Sequence, residues 1–410
     1  MKQFLPLFVA FFSLLAGCKP NATVDVQNTS GSGTIAGLFE RKGALSQAAE
    51  WEQTKLKVAE LMLKVATNPR DVKPRLQLAV IYISEARITG EHPYYYPAIH
   101  NILDGVIGLE PNNFEALVLK SSVKMSQHQF AEAKQLAEKA KGINPDNAYV
   151  YGILVDANVE LGDYKAAIAH SDKMQALKPS LESYARASYL REIFGDYTGA
   201  KEAMELAVQA GLPGSEPYCW SAVTLAELYT KTGDLEKAAE TCRKVLSIRP
   251  SYAMALGQLA KIEMKKQQYP EALSLLDSAA AIMPEFSFHE MMADIYAAQG
   301  NEEKAQQKYA EVLTMLDEDE KSGHTVALEK VKLYVKMNNW DAANKYAKEE
   351  FTARPANIDV NRELAQIAYK QNNKTAAKKH LAVAQSTGSK DPELLALAAA
   401  ILKDGTLAIN

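Results

Sequence analysis

The sequence predicts an all-α fold, a solenoid of antiparallel helix pairs each stacked on the next, and three recurring features carry that prediction. Proline returns every 34 residues at Pro111, Pro145, Pro179 and Pro213, and again at Pro250 and Pro284. A short turn returns in phase with it, as Gly162-Asp163, Gly195-Asp196, Gly233-Asp234, Gly300-Asn301, Asn338-Asn339 and Asn372-Asn373. Just beyond the turn position stands an alanine in each unit: Ala133, Ala167, Ala200, Ala238, Ala272, Ala305, Ala343 and Ala377. A small side chain there lets the second helix of a pair cross close against the first.

The stretch from Trp220 to Pro250 shows the unit most clearly. Ala222, Leu225, Ala226 and Tyr229 fall at i, i+3, i+4 and i+7, on one helical face. Thr232, Gly233 and Asp234 interrupt the pattern where a tight turn needs positive φ. Ala238, Cys242 and Val245 share the face of a second helix, and Pro250 punctuates it. This pattern resembles the tetratricopeptide repeat, W-x2-L-G-x2-Y, then A-x3-F, then P, over 34 residues. Ala222, Ala226 and Cys242 stand for its tryptophan, glycine and phenylalanine. The resemblance covers residues 72 to 392, and it implies a right-handed superhelix of about nine repeats over 72–391. Capping helices are expected on either side, within 38–71 and 392–410.

Taken in order, the chain opens with a targeting segment. Lys2 is a short basic region, Phe4 to Leu15 an apolar one, and Leu15-Ala16-Gly17-Cys18 a cleavage region, so 1–17 reads as a signal peptide. LAGC resembles the lipobox of bacterial lipoproteins, which implies acylation at Cys18. The sorting rule of that family, applied to Lys19, disfavours retention at an inner membrane and, in a cell with two membranes, implies the outer one. Residues 18–37 are rich in Ser, Thr, Asn and Gly and read as a flexible tether with a reach of roughly 25 Å.

A helix from Leu45 to Ala66 carrying Trp51, Val58, Met62 and Val65 is the expected first cap. The first repeat, Val72 to Pro111, contains a longer turn, ARITGEHPYYYP, whose Tyr94, Tyr95 and Tyr96 read equally as an exposed contact or as rings folded over the helices. Later repeats begin near Phe114, Ala148, Leu181, Cys219, Ala253, Phe286, His324 and Ile358. Connections lengthen at 213–217 and 317–323, which gives the alanine spacing a longer period of 105 residues. Pro392 to Lys403 forms a last helix.

No chemistry-bearing motif stands out. His289-Glu290 begins like a zinc-protease helix, but Ala293 replaces the second imidazole. Cys219 and Cys242 read as separate small core or edge residues rather than a disulfide. The formal net charge of −4 with no basic run argues against a nucleic-acid partner. The expectation is therefore a non-enzyme without cofactor or metal.

The repeat resemblance implies a concave groove lined by the first helix of each pair. It would present Tyr149, Asp156, Glu160, Tyr189, Glu192, Trp220 and Glu227 in its middle, acidic with aromatics. Lys261, Lys265, Lys332, Lys336, Arg362, Tyr369 and Lys370 would line a basic C-terminal part. The groove's expected ligand is a protein or peptide, and the leading expectation is a membrane-anchored adaptor for assembly or secretion of envelope machinery. The alternative is a lipoprotein that captures glycans or nutrients for an outer-membrane transporter.

Overall fold

The computed structural model describes residues 35–403. The signal segment 1–17, Cys18, the tether up to residue 34 and the tail beyond Lys403 lie outside the described residues. Among those described there are twenty α-helices and one short 3-10 turn, Gly43–Gln47. Helix α1 (Ala49–Thr67) comes first, and nine helical hairpins follow. They are α2/α3 (Val72–Thr89, His92–Leu109), α4/α5 (Phe114–Ser126, Phe130–Ile143), α6/α7 (Ala148–Glu160, Tyr164–Leu177) and α8/α9 (Leu181–Ile193, Tyr197–Ala210). Next are α10/α11 (Glu216–Lys231, Leu235–Ile248), α12/α13 (Ala253–Lys265, Tyr269–Ile282) and α14/α15 (Phe286–Ala298, Glu302–Lys321). The last two are α16/α17 (Ala327–Lys336, Trp340–Ala353) and α18/α19 (Ile358–Lys370, Lys374–Ala384), before α20 (Pro392–Lys403). Each helix packs on its successor, and first helices also meet the next first helix.

The recurring turn works as two separate devices. Its first residue takes positive φ, at +81° in Gly162, +76° in Gly195 and +56° in Asn338. The second residue caps the following helix: the side chains of Asp163, Asp196, Asp234, Asn301, Asn339 and Asn373 each accept an N–H bond from three residues on. All eight in-phase alanines are fully buried. At two of them the helices come close enough for a hydroxyl to cross: Ser121 Oγ donates to the Ala133 carbonyl at 2.6 Å, and Ser188 Oγ to that of Ala200 at 2.7 Å.

Four sequence expectations need correction. The long turn of the first repeat does not exist: α3 starts at His92, only Gly90 and Glu91 separate it from α2, and Pro93 sits harmlessly in its first turn. Tyr95 and Tyr96 are core residues as a result. The tether does not stay free as far as Gly37, because Ile35 is buried and the extended backbone is gripped by tyrosine hydroxyls. Tyr94 Oη donates to the Gly37 carbonyl at 2.9 Å, and the Phe39 N–H donates to Tyr95 Oη at 3.1 Å. Residues 317–321 belong to α15, so the connection there is only 322–326. Helix α10 begins at Glu216 rather than Cys219, because Ser215 caps it and Pro217 presets its first turn.

The stack curves until it meets itself. A Cβ placed on Gly162, in the third hairpin's turn, would lie 2.4 Å from the Ala356 carbonyl carbon, in the connection after the eighth hairpin. One on Gly195 would lie 2.7 Å from the Gly388 carbonyl oxygen, and one on Gly90 2.8 Å from the Met283 side chain. At the turn of the second hairpin, the Gln127 carbonyl accepts from the N–H of Thr325, in the connection after the seventh, at 2.9 Å. The turn of each of the first four hairpins therefore seats on the connection that follows the hairpin five places later. One superhelical turn rests on the next along a continuous seam.

Candidate binding surface

Self-contact changes what the first helices present. Two adjoining recesses, of about 160 and 370 Å³, open between the superhelical turns. Tyr189 of α8 and Asp359 of α18 line both. The smaller adds Glu192, Lys231 and Arg362, and the larger adds Asp156, Glu160, Glu329, Lys332 and Arg354.

Most of these charges are already paired. Arg186 grips Asp156 through two nitrogens, Nε to Oδ1 at 2.9 Å and Nη2 to Oδ2 at 2.6 Å. It also donates to the Gly152 carbonyl at 3.0 Å, and a Cβ on Gly152 would lie 3.0 Å from the guanidinium carbon, so that glycine makes room for the arginine. Burial works against the Arg186 charge, but Asp156 outweighs it and holds the pKa above its usual value. Lys231 bonds Glu192 at 2.6 Å, and Lys261 bonds Glu227 at 3.0 Å. Burial would raise the Glu227 carboxyl, but Lys261 and Lys231 overcome it and hold the carboxyl below its ordinary range. Tyr189 differs: burial, then the carboxylates of Glu160, Asp359, Asp156 and Glu192, push its hydroxyl pKa well above the usual value. It stays protonated and can donate, while the residue is 39% exposed and lines both recesses.

The predicted groove residues separate into three groups. Asp156, Glu160, Tyr189 and Glu192 gather around the recesses with Lys332 and Arg362. Glu227 and Lys261 pair with each other beside Lys231, while Lys336 is taken by Glu290 and Asp294. Tyr149, Trp220 and Lys265 are exposed but line neither recess; Tyr369 and Lys370 do not line them either. The expected division into an acidic middle and a basic C-terminal part does not hold, because the superhelix lays one against the other. Glu160 meets Arg354, and Asp156 shares a recess with Lys332.

Arg354 and Asn357 escaped the sequence reading because they sit in a connection rather than at groove positions of a first helix, while Asp359, the second residue of α18, holds a groove position that the reading passed over. Asn357 caps α18 and also donates to the Glu160 carbonyl at 2.9 Å, and Tyr164 Oη accepts from the Ile358 N–H at 2.9 Å. No local pattern signals these contacts, since the partners lie 194 to 197 residues apart.

A second polar cluster lies in the seam, and its His128 and Glu329 also line the larger recess. His324 packs against His92 and Tyr96, with ring centroids 5.8 and 5.2 Å away. His128 faces Glu329 at 3.6 Å and the Thr325 carbonyl at 3.1 Å. Burial, then His324 and Arg87, depress the His92 pKa to about 4, and burial lowers that of His324. Asp319, beside them, is raised to about 6 by burial and Glu318. Among the described residues no group of three or more His, Cys, Asp or Glu is placed to hold a metal, and no helix is long and apolar enough to cross a membrane. Cys219 and Cys242 are buried, unbridged members of one apolar cluster.

The chain is similar to several known proteins. It is 26% identical over 240 residues to the human mitochondrial import receptor subunit TOM70, and 23% identical over 229 residues to mouse anaphase-promoting complex subunit 7. Each match covers 55% of this chain and 39% of the relative, so the chain spans about two-fifths of the curated relatives it matches. Among solved structures, the APC/C hetero-tetramer Cut9-Hcn1 covers 80% of this chain and 63% of its own, with 12% identity and a TM-score of 0.48. The family model for a tetratricopeptide repeat-like domain matches residues 200–335, and that for the tetratricopeptide repeat matches 328–392. Most hairpins in those matched stretches carry the same turn, cap and buried alanine as the third and fourth hairpins before them, and the chain belongs to the tetratricopeptide repeat family.

Proposed function

We propose that the chain is a non-catalytic protein-binding scaffold that holds a segment of its partner inside the superhelix, against the Tyr189 recess. The carrying observation is Tyr189: a large aromatic residue left partly exposed where it lines both recesses, with a protonated hydroxyl, where nearly every surrounding charge is already paired. Such a site recognises shape and a few hydrogen bonds more than net charge, which suits an extended peptide. The relatives support the reading at this level: one is a subunit of an import receptor and another a subunit of a multiprotein complex. We further propose that Cys18 carries lipid and tethers the scaffold to an outer membrane of the cell envelope, on the strength of the LAGC stretch. Partner capture followed by mass spectrometry tests both. Tyr189→Ala should weaken capture of the main partner by tenfold or more, as for a buried aromatic anchor, while Trp220→Ala, outside the recesses, should leave it unchanged. Cys18→Ser should release the protein from membranes. Equal capture by wild type and Tyr189→Ala would remove the recess from the account, and a membrane-bound Cys18→Ser chain would remove the lipid.

A further inference from the structure

The seam has a fixed register, and the chain uses only half of it. Turns of hairpins one to four seat on the connections after hairpins six to nine, and Glu50, at the start of α1, approaches Arg249 after the fifth at 3.9 Å. Two edges are left open. One carries the turns of hairpins five to nine, where a Cβ on Gly233 or Gly300 would meet nothing within 4 Å. The other carries the connections that open hairpins one to five, with Leu109, Ile143 and Leu212 exposed by 48%, 42% and 75%. By repeat position these edges are the counterparts of the two surfaces that bind each other inside the chain.

We infer that they dock copy to copy. The turns of hairpins five to nine in one chain seat on the connections that open hairpins one to five in a second chain, in the register of the internal seam. The contact is head-to-tail, so it propagates as an open filament rather than closing as a symmetric dimer. It lays α1 of the second copy beside α20 of the first, whose Leu395 and Leu402 stand exposed among the described residues. It also joins the hollow interiors end to end. The register names a pairing across the contact. Glu160 ends α6 and meets Arg354, which follows α17. At the open edges the equivalent positions are Lys265, ending α12, and Glu110, following α3: an ion pair with its signs exchanged. Lys336 falls opposite Lys178, and its charge is already held by Glu290 and Asp294.

Sedimentation velocity of the full purified chain over about a hundredfold concentration range tests the inference by mass action. The expected result is a concentration-dependent series of dimer, trimer and longer species, seen as thin filaments by electron microscopy. Lys265→Glu or Glu110→Lys alone should weaken association about fivefold, and the double reversal should restore it. Circular dichroism checks that each variant is folded. A monomer at every concentration would overturn the inference, leaving the edges to another protein or to residues outside those described. Association that ignores the reversals, or that the double reversal fails to restore, would overturn the register.

Discussion

The Arg354 guanidinium donates to the Glu160 carboxylate at 2.7 Å, across 194 residues of sequence and one turn of the superhelix. It also holds Glu350 at 2.7 Å and lies 4.9 Å over the Phe130 ring, so one buried side chain bonds two acids and covers an aromatic from the opposite superhelical turn. Replacing it with alanine strands the buried Glu350 carboxylate and leaves the mostly buried Glu160 without its partner. Arg354→Ala should therefore cost about 3–5 kcal/mol in urea unfolding, the range for breaking one side of a buried pair. Glu160→Gln, which keeps a hydrogen-bond acceptor, should cost less, and the two should couple strongly in a double-mutant cycle.

Two glycines with nearly the same backbone separate strain from contact. Gly162 and Gly233 sit at φ +81° and +86°. Alanine at Gly233 should cost only the left-handed penalty, about 1–2 kcal/mol, since its Cβ would meet open space. Alanine at Gly162 carries the same penalty and also drives a methyl into the Ala356 backbone, so it should cost clearly more and loosen the seam. Thermal unfolding of the two variants side by side checks this. Equal losses would mean the superhelical turns do not touch there.

The seam histidines set a pH dependence whose sign can be worked out. The His92 pKa falls from about 6.5 free to about 4 in the folded chain, so its neutral form favours folding above pH 6.5, and that contribution is lost as pH falls toward 4. The size is on the order of 3 kcal/mol. Asp319, raised from 3.8 to about 6, acts in the opposite sense, contributing stability at low pH that is lost as pH rises through 6. The wild-type profile blends the two, and a variant separates them. His92→Gln should gain stability relative to wild type as pH drops from 7 to 4, measured by urea unfolding at each pH. A constant difference between the two proteins would show that His92 does not titrate in the seam.

The hairpins were legible because each is written locally. Turn, cap and crossing alanine lie within about twenty residues, and each has a physical reason that any single unit displays. The helix starts at Phe114, Ala148, Leu181, Ala253, Phe286 and Ile358 agree with that pattern for the same reason. The tyrosine run of α3 was harder, since a proline beside bulky rings reads as a turn when nothing shows that residues 35–39 will cover them. The seam was not legible at all. Gly162-Asp163 seats on another superhelical turn and Gly233-Asp234 does not, yet they are the same dipeptide. The difference lies in curvature summed over five hairpins, a quantity no short stretch records. For that reason the groove positions were named by repeat logic, and only those near Tyr189 meet in the recesses.

Everything here depends on consecutive turns of the superhelix lying in contact. Disulfide trapping tests that directly with cysteines at His128 and Thr325, where the His128 ring lies 3.1 Å from the Thr325 carbonyl. Mild oxidation of the dilute His128→Cys, Thr325→Cys chain should form an intramolecular bond in most molecules, seen as a reductant-sensitive shift in gel mobility. With Cys18 replaced by serine, the remaining native Cys219 and Cys242 are buried and should not interfere. A folded chain that stays fully reduced at both sites would show the superhelix open, and would contradict the seam and everything built on it.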